Sequence, residues 1–497
     1  MHALSILSFI LVASCSAAQA QTDGLNMVAT LDETVREEMA ATHLPGAAVV
    51  IVREGQTVFK RGYGLADIES GTPVDPDRTL FRIGSITKAL TALAVTRLAD
   101  QGRIGLDDDA SIYFDGLMRN AGGTAHPVTV RNLITHTGGF DQIGGPDRHV
   151  YRFELPLEAR KALRPSLAEY LAGDKLRRVT PPGQRFRYDT YGITLAGLVA
   201  ARATGLPYAE TMQQELFAPA GMERSFVEVD DAHRPDLALG YGWIDGAYVA
   251  QPYEVYVTTP ASSVDATPAD MGRLLEALTG GGANAHGRLF SEAAAAAVLA
   301  PQFRPHSRFP GISHGLRESS MRDSPADGAQ PRTLGHGGGM LGYWASLTVY
   351  PESRTGVFIV TNRHPEAGGG PVTLGDRINA LVAETMVAPP SPTLPALRDG
   401  SVDLAPYLGS YAYGVHCRTC TAVEFAQGAW PRSNPVEVAE AEGGLRIRDE
   451  VYLPTTEADV LVERDGRREV FFGRGDDGNV GFFVYSTSPD TFDRIVE

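Results

Sequence analysis

Apolar positions recur along this chain in two rhythms, and the switches between them predict its elements. Leu31, Val35 and Met39 lie at helical spacing within Asn26 to Thr42, so an amphipathic helix is expected there. Ala47 to Val52 and Thr57 to Tyr63 are short β-rich runs separated by Glu54-Gly55, which predicts a hairpin. A long helix is expected from Ser85 to about Gln101, with Gly102 as its stop. Asn132 to His136, Leu195 to Ala201 and Pro268 to Leu278 also read as helical. Leu347 to Tyr350 and Gly356 to Thr361 are strand-like runs split by Pro351-Glu352-Ser353, and Arg377 to Met386 reads as a closing helix. Helix, hairpin, several helices, hairpin, helix implies an α+β class: an antiparallel sheet with helices on its faces.

The rhythm breaks at Ala388 to Pro395, where four prolines in eight residues predict a stiff linker. Beyond it the periodicity becomes that of short strands: Tyr407 to Tyr413, Gly444 to Arg448, Val460 to Glu463, Glu469 to Gly473 and Val480 to Tyr485. Asp465-Gly466 and Asp477-Gly478 are the expected turns. This predicts a small all-β module, a barrel or a sandwich. The resulting division is 1–20 as an export signal, 21–387 as the main domain, 388–402 as linker and 403–497 as the β module.

The first segment carries the export reading. Leu4 to Ala13 is an apolar run too short to span a bilayer, which takes about twenty residues. It is followed by Ala18-Gln19-Ala20, a small-x-small cleavage pattern. A periplasmic or secreted location in a bacterium is therefore expected, with no transmembrane segment. Val12-Ala13-Ser14-Cys15 offers a second outcome, lipidation at Cys15 and anchoring to a membrane. Cleavage before Gln21 leaves Cys417 and Cys420, and in an oxidising compartment a structural disulfide is the expected state of that pair. A formal net charge of −16 repels phosphate backbones and excludes nucleic acid as a natural partner. The twelve histidines show no metal-ligand spacing and no glycine-rich loop is placed to cradle phosphates, so no metal or cofactor is expected.

Ser85-Ile86-Thr87-Lys88 is the first candidate constellation. At a helix start, positions i and i+3 share a face, so the lysine reaches the hydroxyl. The positive end of the helix dipole favours negative charge developing there. A desolvated lysine surrenders its proton more readily and can then serve the serine as base. Only four of the 44 basic residues are lysines, so a match at a helix start is not lightly produced by chance. The bland alternative is a capping serine beside a snorkelling lysine.

Phe81 to Lys88, followed by Leu98 to Asp108, resembles the nucleophile helix of the serine β-lactamase superfamily, in the branch of class C β-lactamases, D-amino-acid peptidases and related esterases. Leu133 to Gly139 resembles that branch's turn after a helix, Pro182 to Tyr188 the segment carrying its tyrosine, and Gly335 to Gly339 the strand lining its cleft. The resemblance covers roughly Leu31 to Met386, in the family's order. It implies a β-lactamase-like sheet flanked by helices plus an all-helical subdomain, with the C-terminal module resembling an appended lipocalin-like β domain whose implied role is either to narrow access to the cleft or to support oligomers. It also implies roles: Ser85 is acylated, Lys88 and Tyr188 move protons, and the N–H groups of Ser85 and Gly339 form the oxyanion hole. His336, Gly338, Gly339 and Thr190 would line the substrate.

Two departures shape the expected substrate. His336 replaces a lysine that grips a carboxylate, and histidine is largely neutral near pH 7. The family's Tyr-x-Asn reads Tyr188-Asp189-Thr190, exchanging an amide for a single hydroxyl. Both disfavour β-lactam turnover and favour a short ester or a peptide-like amide, including one with D-amino acids. The alternatives are a β-lactamase, or a penicillin-binding sensor acylated without turnover. Tyr191 is a spare tyrosine whose spacing fits less well. Gly311-Ile312-Ser313-His314-Gly315 formally matches a nucleophile elbow, but its approach is polar and broken by prolines, so Ser313 is not expected to react.

Overall fold

The computed structural model describes residues 27–114, 127–141, 148–149, 156–162, 164–172, 176–320, 331–364, 371–387, 394–400, 402–414, 417–420, 434–466 and 468–495. The expected export signal, Cys15 and linker residues 388–393 lie outside them.

The main sheet is built from β1 (Gly46–Arg53), β2 (Gln56–Asp67), β3 (Thr72–Pro73), β4 (Arg317–Ser320), β5 (Arg332–Met340), β6 (Tyr343–Tyr350) and β7 (Thr355–Thr361). Its order is β4-β5-β6-β7-β1-β2-β3, with every pairing antiparallel. The hairpin turn Glu54-Gly55 has φ of 51° and 79°, the two positive values a type I′ turn requires. Central β1 shows why its sequence is continuously apolar. Ala48, Val50 and Val52 face one core while Ala47, Val49 and Ile51 face another, so both sides of the strand are buried.

Helices cover each face. α1 (residues 27–41) supplies Leu31 and Val35 to one core, facing Leu374, Ile378 and Val382 of α5 (Pro371–Met386). On the other face lie α2 (Ile86–Asp100) and α4 (Pro268–Thr279). α2 is apolar nearly all round because it is central: Ile86, Leu90 and Leu93 face the sheet, while Val95 and Leu98 face a helical subdomain. That subdomain packs Leu195, Ala196 and Val199 of α3 (Thr190–Thr204) against them.

The C-terminal module is a closed barrel of eight strands: β8 (Gly409–Tyr413), β9 (Val436–Ala441), β10 (Gly444–Ile447), β11 (Glu450–Pro454), β12 (Val460–Glu463), β13 (Glu469–Arg474), β14 (Val480–Tyr485) and β15 (Thr491–Arg494). Five strand runs are visible in the sequence, and β9, β11 and β15 complete the ring. Gly466 and Gly478 take positive φ at the two expected turns. Aromatic side chains, among them Tyr411, Tyr452, Phe472 and Phe483, fill the interior. The stretch before β8 runs along the barrel wall, with the Arg398 N–H donating to the Pro454 carbonyl at 3.0 Å.

The barrel is pinned to the main body beside the tyrosine segment. Phe309 packs with Val460, Phe482 and Val484. The Arg308 guanidinium pairs with Glu469 at 2.8 Å and Arg185 with Asp493 at 2.7 Å. Cys417 and Cys420 form the expected disulfide, and it is buried in the helical-subdomain core. Its turn directs the N–H groups of Arg418 and Thr419 onto the buried Asp141 carboxylate at 2.9 and 2.8 Å.

Candidate active site

Ser85 sits at the N-cap of α2, half-buried, immediately after Gly84 with φ +53°. The glycine is required by a close approach: a Cβ there would lie 3.0 Å from both N and O of Gly339 on β5. Gly338 is tighter still, since its Cβ would fall 1.9 Å from the Ile83 carbonyl. These two glycines let the start of α2 lie directly against β5. Gly339 itself is exposed, and a Cβ there would strike Nε2 of His364 at 2.6 Å.

Lys88 lies one turn into α2 with its side chain buried. Its Nζ donates to Ser85 Oγ at 3.1 Å and to the Ala261 carbonyl at 2.9 Å. Ala261 belongs to the one-turn helix Thr259–Ser262. Across the cleft, the Tyr188 ring has its centroid 5.0 Å from Lys88 Nζ, 4.9 Å from the His136 ring and 5.8 Å from the His336 ring.

Tyr188 is held by its neighbours. The Arg187 N–H donates to the His136 carbonyl at 2.8 Å and the Asp189 N–H to His136 Nδ1 at 3.1 Å, so His136 brackets the tyrosine from both sides. His136 adopts φ +54°, a left-handed conformation that is uncommon for a side-chain-bearing residue. Asp189 is buried and caps α3, accepting from the N–H groups of Tyr191 and Gly192 at 2.8 Å each. Burial pushes its carboxyl up to about 7, against the opposing pull of those N–H groups and of Lys88. Thr190 is half-buried in the first turn of α3, two residues on from Tyr188.

His336 is buried on β5, and burial beside Lys88 pushes its imidazole down to about 3. Its Nδ1 lies 2.6 Å from the Gly337 carbonyl, so Nδ1 carries the proton. Nε2 is then an acceptor, and it has no partner among the described residues. Burial likewise holds His136 well below its usual range. The cleft therefore keeps both imidazoles neutral.

That neutrality has a testable sign. His336 is unprotonated when folded, but in the unfolded chain it takes up a proton below about 6.5. The stability it contributes is full above that pH and is lost as pH falls towards 3. Between pH 7 and pH 4 the loss from this one group is as much as about 3 kcal/mol. His336→Asn should therefore show a shallower fall in unfolding free energy over that range, read by denaturant titration at each pH. An unchanged slope would mean that the imidazole titrates normally.

Ser85, Lys88, Tyr188, His336, Gly338 and Gly339 thus converge on one cleft. The alternatives fall elsewhere. Tyr191 is buried in the helical-subdomain core, and Ser313 is buried with its hydroxyl donated to the Val298 carbonyl. Sequence reasoning did not find His136 as the clamp on Tyr188, the Ala261 carbonyl or His364. A histidine inside the Leu133 to Gly139 motif was the one available signal. A backbone carbonyl leaves none.

Comparisons with known proteins show the family and the fold that carry this cleft. The chain is 28% identical over 392 residues to Esterase EstB of Burkholderia gladioli, across 71% of this chain and 95% of that protein. It is also 28% identical over 213 residues to Protein flp of Staphylococcus aureus (strain N315), and the match spans only 40% of that relative's length. Among solved structures, the crystal structure of SurE aligns over 96% of this chain and 100% of its own, with a TM-score of 0.64 and 23% identity. The octameric penicillin-binding protein homologue from Pyrococcus abyssi aligns over 94% and 99%, with a TM-score of 0.58 and 21% identity. Those two likenesses show that the fold, barrel included, is shared. The Beta-lactamase family model matches residues 31–380, the stretch that carries every residue of the cleft, and the chain belongs to that family.

Proposed function

We propose that the protein is an exported serine hydrolase that cleaves short, uncharged esters or peptide-like amides through an acyl-enzyme on Ser85. The observation that carries the reading is the 3.1 Å contact between Lys88 Nζ and Ser85 Oγ, closed from above by Tyr188. Ser85 Oγ attacks the substrate carbonyl and its proton passes to the Lys88–Tyr188 pair. The negative charge on the carbonyl oxygen falls between the N–H groups of Ser85 and Gly339, where one donor is worth about 10² to 10³ in rate. Tyr188 returns the proton to the departing group as the carbon–oxygen or carbon–nitrogen bond breaks. Water then enters by the same route in reverse and releases the acid. The likeness to Esterase EstB over most of both chains supports the ester as substrate.

Neutral His336 argues against a substrate gripped by its carboxylate, which counts against β-lactams. The test compares kcat/KM for p-nitrophenyl butyrate and a chromogenic cephalosporin, with Ser85→Ala as the blank. A preference of at least about 10² for the ester, abolished in the variant, is expected. Preference for the cephalosporin would reassign the protein as a β-lactamase. Lasting acylation of Ser85 by penicillin without turnover would make it a sensor.

A further inference from the structure

Asp141 is fully buried, and a buried carboxylate is stable only where it is paired or hydrogen-bonded. Among the described residues, most of its hydrogen bonds come from one short turn. The N–H groups of Arg418 and Thr419 donate to it at 2.9 and 2.8 Å, and the Thr419 hydroxyl donates at 2.8 Å. The carboxylate's partner from the main body is the Arg187 guanidinium, at 3.4 Å.

That turn lies between β8 and β9 of the barrel, yet its two cysteines are buried in the helical-subdomain core with Phe140 and Tyr191. The disulfide closes it, so that two successive N–H groups converge on one anion. Arg418 also sends its guanidinium to Asp493 at 3.3 Å. Arg187 pairs with the same two carboxylates, Asp141 and Asp493. The turn and Arg187 therefore share one pair of anions, and Arg187 is the residue before Tyr188. Arg177 ties the turn down further: its carbonyl accepts the Asp141 N–H at 2.7 Å, and its Nη1 donates to the Thr419 carbonyl at 3.1 Å.

We propose that the disulfide-closed turn Cys417–Cys420 is a positioning element for Tyr188, acting through Asp141 and Arg187, so that acyl transfer depends on the bridge being formed. The proposal rests on the acyl-enzyme reading, in which Tyr188 protonates the leaving group. Opening the bridge returns backbone freedom to Arg418 and Thr419, and their N–H groups no longer converge on Asp141. Asp141 then draws on Arg187 alone, and the backbone at Tyr188 shifts with that guanidinium. A shift of about 1 Å in a reacting group can cost about 10²-fold in rate. The cleft is therefore slow wherever the two cysteines stay as thiols.

The test uses the full chain and two butyrate esters with different leaving groups. p-Nitrophenolate departs as an anion, whereas ethoxide must be protonated as it leaves. The readout is the ratio of kcat/KM for p-nitrophenyl butyrate to that for ethyl butyrate, because kcat/KM reports the acylation half in which the leaving group departs. A variant that only folds less well lowers both values equally and leaves the ratio alone. Tyr188→Phe should raise the ratio about 10²-fold or more, which sets the scale. Cys417→Ala combined with Cys420→Ala should raise it at least about tenfold, and so should Asp141→Asn. Thr419→Ala, at an exposed position, loses only the hydroxyl donor and should raise the ratio about threefold. That variant decides the matter if the other two do not fold. An unchanged ratio in the folded variants, where Tyr188→Phe moves it, overturns the proposal and leaves the acyl-enzyme reading intact. A ratio that Tyr188→Phe leaves unchanged removes Tyr188 from leaving-group protonation and overturns the proposal with it. A natural protein with no Ser85-dependent turnover of either ester overturns both the proposal and the acyl-enzyme reading.

Discussion

Lys88→Met is expected to lower kcat/KM for p-nitrophenyl butyrate by at least about 10³-fold while the protein stays folded. Methionine matches the lysine stem in length and can occupy the same buried channel, so packing changes little. What disappears is the group bonded to both Ser85 Oγ and the Ala261 carbonyl. A positioned acid–base residue contributes about 10² to 10⁴ in rate, and in the proposed reaction Lys88 would also orient Ser85 Oγ. Lys88→Arg should not rescue, because guanidinium stays charged throughout the accessible pH range and cannot act as base. Adding Ser85→Ala to Lys88→Met should cost little more than either change alone, since groups that act as a unit are not additive. The measurement is steady-state kinetics beside intact-mass labelling with a fluorophosphonate. Retention of activity within tenfold in Lys88→Met would place the base elsewhere in the cleft.

The second large effect is expected one residue removed from Tyr188, at Asp493, the partner of Arg187. This carboxylate is fully buried and receives Arg185 at 2.7 Å, Arg418 at 3.3 Å and Arg187. Arg187 is itself fully buried and immediately precedes Tyr188. Removing one partner of a buried ion pair strands the other and costs about 3–5 kcal/mol. Asp493→Ala should therefore lower stability by that order, with the barrel seam opening first, read by limited proteolysis and denaturant titration. It should also reduce kcat about tenfold or more, because a shift of about 1 Å in a reacting group can cost about 10²-fold. Glu158→Ala is the control: its pair with Lys161 is solvent-exposed, and losing it should change stability by less than about 1 kcal/mol. Equal effects in the two variants would show that Asp493 does not hold the tyrosine segment.

Much of this arrangement was legible in the sequence for definite reasons. The turn Glu54-Gly55, the stop at Gly102 and the glycines of β5 are positions where backbone geometry restricts the residue type, so the residue announces the geometry. Ser85 and Lys88 were readable because both fall within one helical turn. The barrel was half-readable. β12, β13 and β14 carry dense apolar and aromatic residues, whereas β15 is only Thr491-Phe492-Asp493-Arg494 and buries a carboxylate where periodicity expects an apolar residue. That burial is possible only because arginines from the main body neutralise it, a tertiary fact with no local signature. The same holds for Arg317 and Asp490, 173 residues apart, whose pairing no spacing rule could suggest.

The ion pair between Arg187 and Asp493 joins positions 306 residues apart, and Asp493 lies on the strand that closes the barrel against β8. While the ring is open, the tyrosine segment therefore lacks the carboxylate that Arg187 bonds. The sheet, α2 and the Ser85–Lys88 pair all precede the closing strand in the chain, so during synthesis competence is expected to arrive with that strand. Run backwards, the same order predicts that on heating activity should fade as the barrel lets go of the tyrosine segment, before the main sheet melts. Time, as much as space, separates the parts of this catalytic centre.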